Sequence, residues 1–189
     1  MDRKLPAAIQ LAIFWSCALA WALYWSPGMI TTAVINFVDP QGTDVNNWYP
    51  PFITYLFQFL TAFWDELSVL YWGQTCFFWV GLGACILYFF DVFWKRILCV
   101  ALVGLFFPLV IPTVYLWKEA WYLVPAVFGL GMLLWAHRTK RLLFCFLALT
   151  GFALSCWARH NGFVFIFPLL FPLAKVSLQI LGKAPKALP

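Results

Sequence analysis

The sequence predicts an all-α protein, a polytopic membrane helix bundle of about six transmembrane helices with an interfacial helix in the first outer loop. Three observations predict it. The chain is 65% hydrophobic and only 10% charged over 189 residues, where a soluble domain is about a quarter charged. Its charges fall in clusters, and the apolar runs between them reach or approach the ~20 residues that a spanning helix needs. Finally, ten of the twelve Lys and Arg residues gather on one side of the bundle so generated, the asymmetry that orients membrane proteins. The whole chain reads as a single integral membrane domain, 1–189, without a clear repeat or low-complexity stretch.

The first span is expected over 5–25. It is rich in Trp, and Ser26-Pro27-Gly28 ends it. That tripeptide is a poor processing site, so the span is read as an uncleaved anchor. The outer loop 26–66 follows, about forty residues long. Helix–helix connections usually take about 2–8 residues, and long loops on a rigid scaffold tend to carry function; a loosely ordered tether is the plain alternative. Within it, Pro51–Trp64 is apolar but short, with Asp65 and Glu66 at its end. It is expected to lie against the outer surface. Further spans are expected near 67–90, 97–117, 120–136, 142–158 and 163–181. Lys175 in the last of these, after Pro168 and Pro172, reads as a snorkelling side chain on a kinked helix. Trp residues cluster near the span ends, as an aromatic belt does.

Arg3, Lys4, Lys95, Arg96, Arg138, Lys140, Arg141, Lys175, Lys183 and Lys186 then lie on one side, which places both termini in the cytoplasm. The opposite side keeps Lys118 and Arg159, together with five of the seven acids: Asp39, Asp44, Asp65, Glu66 and Glu119. The net charge of +5 is therefore a topology signal, and no nucleic-acid partner is implied. The six cysteines all fall inside predicted spans without metal-ligand spacing. They read as small buried packing residues, and no cofactor is expected, with a divalent cation left open.

Lys118 and Arg159 are the informative cations, because each stands on the side that usually excludes them. Lys118 is followed by Glu119, and Arg159 by His160-Asn161-Gly162. If the fourth and fifth spans pack as an antiparallel pair, the two cations come within reach of one phosphate, Arg as a fork and Lys as a point charge. Interfacial snorkelling, with Lys118 paired to Glu119, is the structural alternative. Asn161-Gly162 reads as a turn or a helix break, with Gly permitting a left-handed backbone. Trp48 and Tyr49 could stack on a sugar or simply sit in the belt.

These outer segments resemble those of bacterial polytopic C-type membrane glycosyltransferases, which use polyprenyl-phosphate sugars. The resemblance rests on Asn47-Trp48-Tyr49-Pro50-Pro51 before an apolar helix, on Lys118-Glu119, and on Arg159-His160-Asn161-Gly162. It covers most of this chain but only the amino-terminal part of such enzymes. It implies a bacterial inner-membrane protein transferring a hexosyl or pentosyl group from a polyprenyl-phosphate donor at the outer face. Membrane lipid and the donor are the implied partners. Asp39 is the best-placed acid for the catalytic role, with Asp44 second; Lys118 and Arg159 match the cationic positions, and Glu119, His160, Asn161 and Trp48 are the further substrate-binding candidates. The chain departs from the pattern after the first span, where Met29–Val34 holds no acid. The competing expectation is a truncated or inactive relative, or a non-catalytic membrane subunit, lipid-carrier component or exclusion or immunity factor, which needs only packing surfaces and could take a membrane protein partner.

Overall fold

A computed structural model of the protein describes residues 7–25, 59, 63, 68–105, 118–159 and 162–182. These form six α-helices: α1 (Ala7–Trp25), α2 (Ser68–Phe89), α3 (Phe93–Leu105), α4 (Lys118–Thr139), α5 (Leu142–Ala158) and α6 (Gly162–Leu181). No strand occurs among the described residues. Three segments are long and apolar enough to cross a membrane: Leu70–Phe89, Ala120–Thr139 and Gly162–Leu181. That is compatible with an integral membrane protein. Leu142–Ala158 and Ala12–Trp21 are shorter apolar helical stretches.

The helices follow the apolar runs, with differences at the ends. The fifth span and α5 have the same bounds. Helix α3 begins at Phe93, so Lys95 and Arg96 lie within its first turn, before the expected start at 97. Helix α4 runs from Lys118 to Thr139, beyond 120–136 at both ends. The reason is that hydrophobicity measures where hydrocarbon stops, whereas a helix continues as long as its backbone bonds are met. Phe59 and Phe63 are helical, and their rings meet at 4.9 Å. The remainder of Pro51–Trp64 lies outside the described residues, as do residues 106–117 of the third expected span.

Helix α4 is the centre of the bundle, packed most extensively on α5 and next on α2, with α6 closing against α5. Glycines make this possible. A Cβ on Gly81 of α2 would collide with the α4 backbone at Phe128, and one on Gly131 would collide with the Gly81 carbonyl. On the other side of α4, a Cβ on Gly151 of α5 would stand 2.8 Å from the Pro125 carbonyl and 2.9 Å from Gly129. Small residues that bring backbones into contact are how helices associate where lipid removes the hydrophobic drive between them. The main core gathers Met132, Leu133 and Ala136 of α4, Ala148 and Phe152 of α5, and Ile166 and Leu173 of α6. A second cluster joins Ala18 of α1, Phe78 and Trp79 of α2, and Val124 of α4.

Helix α6 shows the opposite surface. Phe163, Val164, Phe165, Phe167, Phe171 and Leu178 are all exposed. A helix that is apolar on its exposed side suits hydrocarbon and not water. Lys175 is exposed on this helix, three residues after Pro172. The cysteines correct one expectation: Cys145 is buried, but Cys17 and Cys76 are exposed and so do not serve as buried packing.

Candidate functional site

Of the candidate residues, Arg159 has a described side chain. Lys118 and Glu119 form the first turn of α4. Asp39, Asp44, Trp48, His160 and Asn161 lie outside the described residues. Arg159 is the C-cap of α5, with extended backbone at φ −153°, ψ 131°, and it is exposed.

The pairing of α4 and α5 determines what lies opposite Arg159. The Ser155 hydroxyl donates to the Tyr122 carbonyl at 2.8 Å. Gly151 abuts Pro125 and Gly129, and Gly129 abuts Ala148 and Phe152. This antiparallel register, carried one turn further, sets position 118 level with position 159. The link that enforces it is two residues long, Lys140-Arg141 at the far end. Lys140 takes φ 55° there, and its N–H donates to the Ala136 carbonyl at 2.9 Å. Such a left-handed residue ends a helix at once, so α5 can start directly.

Pro125 inside α4 leaves the preceding turn of that helix without one backbone donor. The carbonyl that loses its donor is that of Trp121; the Ser155 hydroxyl donates to the next carbonyl of the same turn, that of Tyr122. It also pins α5 to α4 just below Arg159. Tyr122 then lies within electrostatic reach of Arg159.

Gly162 corrects one part of the expectation for Asn161-Gly162, the left-handed backbone. It starts α6 with its N–H donating to the Arg159 carbonyl at 2.9 Å, and it does not use a left-handed backbone. Its missing side chain serves a close approach instead: a Cβ would stand 2.9 Å from the Ser155 carbonyl and 3.1 Å from the Tyr122 ring. The start of α6 thereby packs closely on Ser155 and Tyr122.

The resulting corner holds the N-terminal ends of α4 and α6 and the Arg159 guanidinium. Helix N-termini carry unpaired N–H groups and partial positive charge. Arg159 makes no side-chain hydrogen bond or ion pair with the described residues. Two helix ends and a guanidinium of one sign form a place where an anion is favoured. No group of three His, Cys, Asp or Glu side chains with metal-binding proximity occurs among the described residues.

The other end of the bundle uses its cations differently. Arg138 of α4 donates to the Leu87 carbonyl at 2.8 Å and covers the Trp135 ring at 5.7 Å. Arg96 of α3 donates through Nε to the Phe90 carbonyl at 2.6 Å. Both cap the C-terminal end of α2, where carbonyls are left over and a cation is favoured. Tyr88 and His137 share a hydrogen bond of 3.1 Å beside them. The sequence marked these residues only as a cytoplasmic charge cluster; an Arg directly after an apolar run was the available sign of a cap.

Comparison with known families, characterised proteins and solved structures gives no match to this chain.

Proposed function

We propose that the protein is a membrane-embedded, glycosyltransferase-like protein that binds the phosphate of a polyprenyl-phosphate sugar at the corner formed by α4, α5 and α6. In this reading the chain spans the membrane six times, both termini are cytoplasmic, and 51–64 lies on the outer surface. The observation that carries it is the exposed Arg159 beside two helix N-termini, level with position 118. Arg159 grips two phosphate oxygens as a fork. Lys118 adds a point charge, and the backbone N–H groups at the start of α6 complete the shell. An acid of the first outer loop, Asp39 or Asp44, takes the proton from the acceptor hydroxyl. The acceptor oxygen bonds to the anomeric carbon as the bond from that carbon to the phosphate oxygen breaks. Polyprenyl phosphate departs with the bonding pair, and the cations stabilise its charge.

The test is binding of polyprenyl phosphate to the purified chain in nanodiscs. A charge-assisted hydrogen bond contributes about 1.5–3 kcal/mol, so Arg159→Ala should weaken binding roughly ten- to a hundredfold. Arg159→Lys should also lose affinity, because the fork is gone. Unchanged binding by Arg159→Ala removes the phosphate site. Binding that persists without transfer of sugar from a loaded donor marks a carrier subunit instead of a transferase.

A further inference from the structure

A cleft of about 260 Å³ opens between α1, α2 and α3 at the end opposite Arg159. Phe14 and Cys17 of α1, Trp79 and Leu87 of α2 and Ala101 of α3 line it, and Arg96 is the charged residue in its wall. Trp21 and Trp79 meet edge to face at 5.6 Å at one end of it. Trp79 lies near the middle of Leu70–Phe89, and Arg96 sits just beyond the end of that helix. The eight residues from Trp79 to Leu87 rise about 12 Å, close to the roughly 15 Å of hydrocarbon in one leaflet of a ~30 Å core. The cleft therefore runs from the rim of the bundle to about the mid-plane, the depth that one acyl chain occupies.

Away from Arg96 the lining is almost wholly apolar, a poor place for water, and an unfilled apolar gap forfeits dispersion contacts on its whole lining. The rim is strongly cationic. Lys95, Arg138, Lys140 and Arg141 are exposed at the same end of the bundle as Arg96, and Asp91 is the acid among the described residues there. The guanidinium of Arg96 has five N–H donors in all, so its contacts within the protein, the Phe90 cap among them, and a phosphate are compatible.

We propose that this cleft is a binding site for an anionic phospholipid of the leaflet at the basic end. One acyl chain enters between α1, α2 and α3 towards Trp79, and the phosphate sits on Arg96 with Lys95 beside it. The lipid fills the gap between α3 and its neighbours, which pack on it sparsely, and so anchors α3 to the bundle.

Thermal unfolding of the full chain in detergent, with phosphatidylglycerol or phosphatidylcholine of identical chains added, tests this. Phosphatidylglycerol should raise the midpoint more. Native mass spectrometry should show its retention and an affinity about tenfold weaker in Arg96→Gln, the loss of one charge-assisted bond. Because Arg96→Gln also removes a helix cap, Ala101→Phe serves as the second variant: it fills the cleft and leaves the cations. It should abolish the phosphatidylglycerol-specific increment. Arg159→Ala should leave that increment intact, which separates this site from the polyprenyl-phosphate reading. Equal stabilisation by the two lipids, or an increment that survives Ala101→Phe, overturns the proposal.

Discussion

Arg138 and Arg159 are the same residue at the two ends of one helical pair, and the bundle employs them in opposite ways. Arg138 directs its guanidinium to the Leu87 carbonyl and the Trp135 ring. Arg159 is exposed beside the N-terminal ends of α4 and α6. The first cation faces helix C-termini, where its charge is complementary. The second has the C-terminus of α5 in its favour and two N-termini against it. A cation of the first kind stabilises a fold; one of the second kind is balanced better by an anion from outside. Residue identity alone does not distinguish them. The direction of the neighbouring helices does.

The most damaging change to this arrangement is Gly151→Ala. Its Cβ would press on the backbone at Pro125 and Gly129, and neither helix can yield without losing the register that sets 118 level with 159. Overpacking of this kind costs about 1–3 kcal/mol. Chemical unfolding in detergent should register that loss, and polyprenyl-phosphate binding should fall with it; a stable variant that still binds would detach the register from the site. Arg159→Ala should sharpen the contrast, because its stability should stay within about 0.5 kcal/mol of the parent as a surface substitution does, while phosphate binding falls. Arg138→Ala should do the reverse. Losing a partly solvated cap of α2 should cost about 1 kcal/mol in the same unfolding experiment, with phosphate binding unchanged. Equal destabilisation by the two Arg variants would erase the distinction. The smallest effect belongs to Ser155→Ala. Interhelical hydrogen bonds in membrane proteins average about 0.6 kcal/mol, so the shift should be small but resolvable, and Ser155→Thr should retain most of it.

The helices were legible because the apolar runs are bounded by charge or, after the first, by Ser26-Pro27-Gly28. Their ends were less so: Lys118, Glu119, His137 and Arg138 are helical although hydropathy stops short of them. The corner was legible in part. Arg159 stood out because a cation on the acidic side violates the usual bias. Its level with position 118 depends on how α4 is rotated against α5, and that is decided by Gly129, Gly151 and Ser155 meeting backbone. An apolar run does not say which of its faces meets which neighbour. Gly81-Leu82-Gly83 and Gly129-Leu130-Gly131 were the available sign. In each, the two glycines look to different helices: Gly81 to α4 and Gly83 to Phe14 of α1, Gly129 to α5 and Gly131 to α2. The proposed acids Asp39 and Asp44 lie outside the described residues, so their part in the site rests on the resemblance alone.

The two-residue link at Lys140-Arg141 has a consequence for how the chain is made. Contacts between α4 and α5 are the most extensive in the bundle, and they join residues close in sequence, so little loop entropy opposes their formation. The pair is thus suited to assemble as a hairpin during synthesis, before α6 has emerged to close against it. Lys140 would set the pace of that event, since a left-handed backbone costs an L-residue about 1–2 kcal/mol. A glycine in its place should let the hairpin close sooner.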